Sequence, residues 1–480
     1  MSDSSSSQDA TLKTLAVSPG KLSPGFSAPR TAYHLYLPSS IDAIRVTPTT
    51  GDTEATLTLN GSPVSSGQSS EAVPLEVGRT VLQVEVTARD GKTKNAYRIT
   101  VIRACPTLNW VKVTDKAPWI PRDSAGELVF NGRMWLFGGY TPPLVNDVWS
   151  SADGVNWRRE GEIPDESGVN IPVVFAYDGR MWVTGGSGKL FASTDGEAWT
   201  LVTDQAPWMG RGIVGSAVFA GRIWVLGGGR GGQFFNDIWS STDGVRWTLE
   251  TPQAPWSRRQ IFSMAVHEDK LWVVGGGLSG YHPFRAYNDV WCSPDGKTWT
   301  QTTDQAPWPV RIWNTVIAYK NRLWVLGGFR AEPTWNNFDD VWYSADGANW
   351  HPLTTETIWS PRHEISVYVF DDKLWVIGGN AWPLMNDAWY LEIKGLTFLT
   401  RPPIEEIAGA QYTYRARADF NESGQKVRYR LVEGPAWLTL HPDTGLVRGT
   451  PEATGDVTVT LEAYDDADET ARQTYTLHVI

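Results

Sequence analysis

Arginines at a fixed spacing are the residues of this sequence best suited to hold a ligand. They end a motif, Ala-Pro-Trp-x-x-Arg, that occurs four times, and a related Ile-Trp-Ser-Pro-Arg occurs once. A guanidinium group presents a planar fork that matches a carboxylate, a sulfate or an acidic sugar. In the third copy the spacing favours Arg259 over Arg258, and the sequence does not decide which one points inward. The predicted ligand-binding arginines are Arg122, Arg211, Arg258, Arg311 and Arg362.

A structural explanation for the same arginines competes with the functional one. Each guanidinium group can stack on the tryptophan of its own motif. It can also pair with a neighbouring acidic residue such as Asp123 or Glu364. Because the motif repeats along the chain, repetition itself favours the structural explanation. The sequence leaves both explanations open.

Aromatic and histidine side chains accompany the arginines. Trp313 and His363 lie at the starts of predicted inner strands. Tyr281 and Trp335 lie in long loops that follow Gly-Gly pairs. Exposed tryptophan and tyrosine suit a sugar ring or a protein partner. These four residues complete the predicted ligand-binding site.

A repeat of roughly 40–50 residues must position these side chains. A complete copy contains a strand ending in Gly-Gly, a strand with Asn-Asp-x-Trp, and a turn reading Ser-x-Asp-Gly-x-x-Trp; the second copy is degenerate. Four strands per repeat and six Gly-Gly pairs predict a six-bladed β-propeller. The repeats resemble kelch repeats, and the turn resembles a shortened form of the Asp-box of sialidase-type propellers. The pairs are Gly138-Gly139, Gly185-Gly186, Gly227-Gly228, Gly275-Gly276, Gly327-Gly328 and Gly378-Gly379.

Because successive strands run antiparallel, successive loops lie at opposite ends of the propeller. The short Asp-Gly turns share one end, where aspartate caps turn amides and glycine supplies positive φ. The blade-joining loops and the long loops after Gly-Gly share the other end. Loops on a rigid scaffold usually carry function, so the second end is the predicted site.

The ring is expected to close with a strand that precedes the first blade. The sixth copy has no Asp-Gly turn and no closing tryptophan, whereas Asn109–Val113 carries Trp110 and has no partner of its own. We expect it to pair with Asp387–Leu391, which protects an otherwise exposed sheet edge. The predicted propeller therefore covers residues 109–394.

The segments that flank the repeats read as β-sandwiches. Residues 11–103 resemble the cadherin-like β-sandwich family of bacterial surface proteins, through LAVSPGKLSPGFSAPRTAY and LEVGRTVLQVEVTARDGKTKNAYRITV. Residues 396–480 resemble the immunoglobulin-like type of bacterial surface domain, through GPAWLTL and TGLVRGTP. Residues 1–10 are predicted to be a disordered leader. The predicted fold class is all-β, a six-bladed propeller with N-terminal and C-terminal β-sandwich domains.

A cluster of acidic residues in the last segment is a candidate calcium-binding site, because calcium takes clustered oxygen ligands. The fixed spacing of a calcium loop is missing, so a solvated acidic turn is the favoured interpretation. The cluster comprises Asp419, Asp465, Asp466, Asp468 and Glu469.

Composition excludes several classes of partner. The net charge of −11 argues against binding a nucleic-acid backbone. No window approaches 18 consecutive apolar residues, and the start of the chain has no secretory signal, so no membrane insertion is expected. The seven histidines are scattered, and neither a metal site nor a cofactor is predicted.

The kelch resemblance implies enzymes as an alternative function: copper oxidases acting on galactose, and sialic-acid epimerases. Copper chemistry needs a cysteine beside a tyrosine, whereas Cys292 lies in the outer part of a blade. An epimerase needs an acid–base pair, for which His363, Glu364 and Asp123 are the candidates. A sialidase needs a tyrosine–glutamate pair, and the sequence identifies none.

The sequence therefore predicts a non-enzymatic binding or adhesion module. It would be extracellular or at a cell surface, and would present the loop end of the propeller to a protein partner or to a glycan, with an acidic glycan as one option. A carbohydrate-active enzyme is the first alternative. An intracellular scaffold is the second, and it rests only on the missing signal peptide.

Overall fold

The computed structural model describes residues 8–261, 263–280 and 282–480. This part of the chain consists of strands, turns and loops and contains no helix. The predicted all-β fold class is thereby confirmed. Residues 1–7 of the predicted disordered leader lie outside the described residues.

The N-terminal domain is a sandwich of a three-stranded and a five-stranded sheet. Residues in its strands alternate between buried and exposed, as in Ala32–Leu37, because successive side chains point to opposite faces. Buried Leu35, Val84 and Val101 belong to the core of this domain. The strands are Leu12–Ser18, Ala32–Leu37, Ala43–Thr50, Thr56–Leu59, Ser62–Val64, Val73–Pro74, Gly78–Thr87 and Lys94–Arg103.

Six four-stranded antiparallel sheets follow, which we number blades 1 to 6 and list from the inner strand outward. Blade 1 consists of Gly126–Phe130, Arg133–Gly139, Val145–Ser151 and Trp157–Glu162. Blade 2 consists of Val174–Tyr177, Arg180–Thr184, Leu190–Ser193 and Thr200–Thr203. Blade 3 consists of Gly215–Phe219, Arg222–Leu226, Ile238–Ser241 and Thr248–Thr251. Blade 4 consists of Met264–His267, Lys270–Leu278, Arg285–Ser293 and Thr300–Thr303. Blade 5 consists of Thr315–Tyr319, Arg322–Leu326, Val341–Ser344 and His351–Pro352. Blade 6 consists of Ser366–Phe370, Lys373–Asn380, Leu384–Glu392 and Val111–Thr114. Two loops carry small hairpins, Gly229–Arg230 with Gln233–Phe234 and Phe329–Arg330 with Asn336–Asn337.

The six blades form a closed ring. Each inner strand contacts the inner strand of the next blade, and that of blade 6 contacts that of blade 1. Val111–Thr114 is the outer strand of blade 6 and pairs with Leu384–Glu392, with Lys112 opposite Trp389. The start and the end of the propeller are therefore held in one sheet.

One buried tryptophan in each second strand organises the packing between blades. Its indole N–H donates to the backbone carbonyl five residues earlier, as from Trp182 to Tyr177 at 2.8 Å. In five cases the ring lies against the glycine of the Asp-Gly turn of the next blade, as Trp182 lies against Gly244. These tryptophans are Trp135, Trp182, Trp224, Trp272, Trp324 and Trp375.

The C-terminal domain covers the remaining second-strand tryptophan, that of blade 5. Blade 6 has no Asp-Gly turn to place there. Instead, the Phe420 ring stacks on Trp324 with centroids 5.7 Å apart, and Phe420 belongs to the hydrophobic cluster of the propeller. The strands of this domain are Thr397–Phe398, Glu405–Glu406, Tyr412–Arg415, Ala418–Asp419, Arg428–Glu433, Thr439–Leu440, Leu446–Gly449, Gly455–Tyr464 and Thr470–Val479.

Hydrogen bonds and ion pairs occupy the acidic cluster of the C-terminal domain. Asp465 accepts from Asn421 at 2.8 Å and from the backbone amide of Glu469 at 3.0 Å. Asp466 pairs with Arg428 at 2.6 Å. This segment is therefore a hydrogen-bonded turn, and at Asp465, which is buried, it is not the solvated turn that the sequence favoured.

Candidate functional site

The arginines of the Ala-Pro-Trp-x-x-Arg motifs and of the related Ile-Trp-Ser-Pro-Arg each belong to a buried hydrogen-bonded unit, which Arg362 of blade 6 illustrates. Arg362 forms a two-pronged ion pair with Asp387, with N–O distances of 2.5 and 3.0 Å. The two side chains are 1% and 3% exposed. Arg362 also donates to the carbonyl of Gly378 at 2.9 Å, and the Trp389 indole donates to Asp387 at 2.8 Å. The Gly-Gly, Asn-Asp-x-Trp and arginine motifs are thus parts of one unit.

Four other blades repeat this unit, and in each the aspartate occupies the whole guanidinium fork. Such a charge pair is satisfied internally and presents no free donor edge to a ligand. The pairs are Arg122 with Asp147, Arg211 with Asp237, Arg259 with Asp289 and Arg311 with Asp340. These contacts favour the structural explanation over ligand binding at four of the predicted arginines: Arg122, Arg211, Arg311 and Arg362.

The repeat position in blade 4 belongs to Arg259, whose guanidinium group stacks on the Tyr287 ring at 3.8 Å. Arg258, the residue predicted to bind, is instead exposed next to it. The structural explanation of the arginines is the one that the contacts support. Their partners, however, are the third-strand aspartates and not Asp123 or Glu364.

A ring of residues in left-handed backbone conformation surrounds the mouth of the central channel. Each lies two or three residues before an inner strand and has φ between 48° and 57°. This conformation costs a side chain about 1 kcal/mol or more. The corresponding residue of blade 4, Phe262, lies outside the described residues. The ring comprises Ser124, Ile171, Ile213, Trp313 and Glu364, all of which line a cavity of about 500 Å³.

Backbone hydrogen bonds hold this ring in place. The amide of Ile171 donates to the carbonyl of Ser124 at 2.9 Å, and the amide of Glu364 donates to that of Trp313 at 3.2 Å. Since the residue type differs from blade to blade, the mouth has unlike sides. Blades 2 and 3 contribute isoleucine, blade 5 a tryptophan and blade 6 a carboxyl group.

The polar side of the mouth is formed where blade 6 meets blade 1. A side-chain atom from each of Asp123, His363 and Glu364 lies within 4.8 Å of the other two. Asp123 accepts hydrogen bonds from Ser124 at 3.0 Å and from Asn380 at 2.9 Å. We call Asp123, His363 and Glu364 the acidic cluster of the mouth.

Burial sets the protonation of this cluster. Burial, together with the neighbouring Asp123 carboxylate, raises the pKa of Glu364 to about 8. Burial also raises the pKa of Asp123 and lowers the pKa of His363 to about 4. At neutral pH the imidazole is therefore neutral, and the two carboxyl groups together retain a proton.

The aromatic side of the mouth adjoins the acidic cluster. The Trp313 ring is stacked against both Phe329 and His363, with centroids 5.4 and 4.9 Å away. Trp335 and Trp382 lie above Phe329, each with its centroid 5.6 Å from that ring. These two tryptophans are 75% and 49% exposed, and their centroids lie 6.0 Å apart. We call Trp335 and Trp382 the tryptophan shelf.

Comparison with protein families identifies all three parts of the chain. Residues 10–104 match the cadherin-like beta sandwich domain, residues 106–401 the DUF6242 beta propeller domain, and residues 397–480 the family described as "Putative Ig domain". The propeller match covers more than half of the chain. The chain belongs to the DUF6242 beta propeller family.

These matches confirm the cadherin-like and immunoglobulin-like resemblances on either side of the DUF6242 propeller. The matched family specifies neither kelch repeats nor an Asp-box, so those two resemblances stay predictions.

Two curated relatives share a limited part of the chain. A protein of Evansella cellulosilytica named "Putative membrane protein" is 35% identical over 118 residues, or 25% of this chain and 16% of that protein. "Tip elongation aberrant protein 3" of Schizosaccharomyces pombe is 25% identical over 121 residues, or 24% of this chain and 11% of that protein. Within the described residues, no helix has the length and apolar character needed to span a bilayer.

The structure brings together only part of the predicted site. Trp313 and His363 meet at the mouth of the DUF6242 propeller, and Trp335 packs against the adjoining Phe329. Tyr281 lies outside the described residues. Glu364 and Asp123 enter the site, although the sequence presented them only as partners for arginine or as a possible acid–base pair.

Two further residues escaped sequence reasoning. Trp382, the second half of the tryptophan shelf, could not be distinguished in the sequence from the other aromatic residues of the long loops. Glu127 lines the channel of the DUF6242 propeller, and burial raises its pKa to about 8. A carboxyl group within the inner-strand sequence Gly-Glu-Leu-Val-Phe was the signal that could have identified it.

Proposed function

We propose that the protein is a non-enzymatic binding protein displayed at a cell surface, whose propeller holds a neutral glycan at the channel mouth. The tryptophan shelf is the observation that carries this proposal. Two large aromatic rings exposed next to each other are unusual on a protein surface. Sugar rings present C–H faces that pack on indole, while their hydroxyl groups need polar partners nearby.

The acidic cluster supplies those polar partners. The Trp382 ring lies 5.4 Å from the ring of His363, so a sugar seated on the shelf lies within reach of the cluster. One protonated and one ionised carboxyl group offer both a donor and acceptors to hydroxyl groups. A polar group beside an aromatic platform is the usual arrangement of a small-ligand site.

The charges at the mouth favour a neutral ligand over an acidic one. The motif arginines are paired with aspartates. The acidic cluster retains negative charge at neutral pH, which repels a carboxylate or sulfate. An acidic glycan is therefore no longer part of the proposal.

Display at a cell surface is supported by the flanking domains. Cadherin-like and immunoglobulin-like sandwiches serve as spacers in the surface proteins that they resemble. The name of the Evansella cellulosilytica relative, "Putative membrane protein", points in the same direction.

A glycan array probed with the full chain tests the binding proposal. We expect neutral glycans to bind, and Trp335→Ala and Trp382→Ala each to weaken binding about tenfold, since a ring contact contributes roughly 1–1.5 kcal/mol. Leu201→Ala is the matched control, because Leu201 is 52% exposed on the outer strand of blade 2. A silent array would reject the glycan in favour of a protein partner. Unchanged binding by both tryptophan variants would reject the shelf.

The acidic cluster supports a carbohydrate-active enzyme as the second candidate. A carboxyl group that keeps its proton near neutral pH is suited to general acid catalysis. Incubating an array-positive glycan with the protein, followed by NMR of the sugar, tests this alternative. Epimerised or hydrolysed product that disappears in Glu364→Gln would establish the enzyme, whereas binding without turnover would reject it.

A further inference from the structure

Three residues with metal-binding side chains meet at the mouth although they are far apart in sequence. Asp123 precedes the inner strand of blade 1, and His363 and Glu364 precede that of blade 6. These strands are neighbours because the ring is closed. The Nε2 atom of His363 lies 3.8 Å from an Oε2 atom of Glu364, and the three ligand atoms lie within 4.8 Å of one another.

The hydrogen-bond network determines which nitrogen of His363 carries the proton. The Asn337 amide nitrogen donates to the carbonyls of Asn380 at 2.8 Å and Pro361 at 3.4 Å. Its Oδ1 atom therefore faces Nδ1 of His363, at 2.7 Å. An amide oxygen accepts only, so Nδ1 carries the hydrogen and Nε2 keeps its lone pair. A side chain that is only 4% exposed thus directs an unprotonated nitrogen toward the carboxyl group of Glu364.

Asp123 is oriented by a second set of hydrogen bonds. Its carboxylate accepts from Ser124 at 3.0 Å and from the Asn380 amide nitrogen at 2.9 Å. Asn380 is itself fixed, since its Oδ1 accepts from the backbone amide of Trp382 at 3.0 Å. Outer hydrogen bonds that orient a histidine and a carboxylate are what metal-binding sites use to position their ligands.

We propose that Asp123, His363 and Glu364 bind one divalent transition-metal ion, such as Zn²⁺ or Mn²⁺. Imidazole nitrogen together with carboxylate oxygen selects first-row transition metals over Ca²⁺ and Mg²⁺, which prefer oxygen alone. Metal–ligand bonds of about 2.0–2.2 Å put the ligand atoms of a tetrahedral site about 3.4 Å apart. The 3.8 Å between His363 and Glu364 is close to that separation.

The ion would take the place of the proton that the two carboxyl groups of the cluster otherwise retain. Two buried carboxyl groups repel each other when both are ionised, and a dication between them removes that repulsion. Three protein ligands leave at least one coordination position open, as in catalytic zinc sites. Glu364 and its neighbour Trp313 line the channel, so the open position would face the central cavity. This proposal goes beyond glycan binding and is tested with no sugar present.

Titration of the chelator-treated full chain with Co²⁺ and Zn²⁺ tests the site. We expect one equivalent to bind, with the visible absorption of four- or five-coordinate Co²⁺. His363→Ala and Glu364→Gln should each weaken binding about 100-fold or more, as expected for the loss of a ligand. His441→Ala, at an exposed histidine of the C-terminal domain, should bind as the unmodified protein does.

Circular dichroism and thermal unfolding establish that each variant is folded before it is titrated. Glu364→Gln preserves side-chain shape and keeps the test decisive if His363→Ala fails to fold. The proposal is overturned if the folded, metal-free protein binds neither ion at about 100 µM. It is equally overturned if Glu364→Gln binds Co²⁺ as tightly, and with the same spectrum, as the unmodified protein.

Discussion

The two ends of the propeller use repetition in opposite ways. At the turn end, the aspartate of each of five Ser-x-Asp-Gly-x-x-Trp turns accepts from the backbone amides two and three residues later, and the glycine lies against a buried tryptophan. At the mouth, the left-handed positions have one backbone conformation but different side chains, from Ile171 to Glu364. The residues that repeat in the blades therefore build the ring, whereas the residues that differ between blades form the site. The buried arginines belong to the first class although they lie near the mouth.

Blade 6 departs from the pattern at the turn end. It takes its outer strand from Val111–Thr114, ahead of blade 1, and the C-terminal domain supplies Phe420 where the other blades supply a turn glycine. A gap in the repeat is therefore a docking site for another part of the chain. The comparison suggests how each end can be disrupted separately.

The largest expected effect is at an arginine. Arg362→Ala should destabilise the propeller by about 3–5 kcal/mol, because it leaves the Asp387 carboxylate buried without its partner. Denaturant unfolding of the full chain measures the change. Arg258→Ala, at an exposed arginine, should stay within about 0.5 kcal/mol. An Arg362→Ala protein of normal stability that loses ligand binding would reverse the assignment of the arginines.

Removing the ring that replaces the missing turn should have the next largest effect. Phe420→Ala should cost about 3 kcal/mol, since a fully buried phenylalanine leaves a cavity over Trp324. Calorimetry should then show the C-terminal domain unfolding at a lower temperature than the propeller. Val432→Ala, on an exposed position of the same domain, is the control. A single unchanged transition in Phe420→Ala would mean that the contact does not couple the two domains.

A pair of glycines separates packing from backbone strain at the turn end. Gly244 and Gly221 have φ of 72° and 69°, but an added Cβ at Gly244 would lie 2.5 Å from the Trp182 ring, whereas nothing lies within 4 Å at Gly221. Gly221→Ala should cost about 1 kcal/mol through its backbone. Gly244→Ala should cost about 1–3 kcal/mol more, because the ring must move. Equal losses of unfolding free energy in the two variants, measured by denaturant unfolding, would show that the turn glycine is not tightly packed against the tryptophan.

The smallest expected effect is at the turn aspartate and depends on pH. The backbone amide of Arg246 is the main cause of the lowered pKa of Asp243; partial burial opposes it and the Val245 amide adds to it. A lowered folded-state pKa stabilises the fold above the unfolded value of about 4, and this contribution is lost as the pH falls through the folded value. Asp243→Ala should therefore cost about 1–2 kcal/mol at pH 7 and less below pH 4.

Unfolding free energies of the two proteins at pH 7 and at about pH 3 provide the measurement, with glycan binding recorded in parallel. We expect the affinity to be unchanged, because Asp243 lies at the turn end. Lost binding with unchanged stability would place the site at the wrong end of the propeller.

Short-range chemistry made much of the fold predictable. The alternation of buried and exposed residues, the Asp-Gly turns and the Gly-Gly pairs each depend on residues a few positions apart, so they can be read in the sequence. The arginine spacing was equally visible, but its meaning was not. The aspartate that holds Arg362 is 25 residues away, on the third strand of the same blade. The repeat showed that each arginine belongs to a recurring structural unit, but it did not show which side chains bond to the arginine within that unit.

The sequence by itself determined the all-β class and the repeat, because both follow from local periodicity and turn chemistry, and the resemblance to known families identified the flanking sandwiches. Only the tertiary structure decided the site. Asp123 and Glu364 are 241 residues apart and meet because the ring closes, and the tryptophan shelf forms because two loops of neighbouring blades lie side by side. Burial at that junction, which no local pattern encodes, then sets the protonation of the carboxyl groups and of His363.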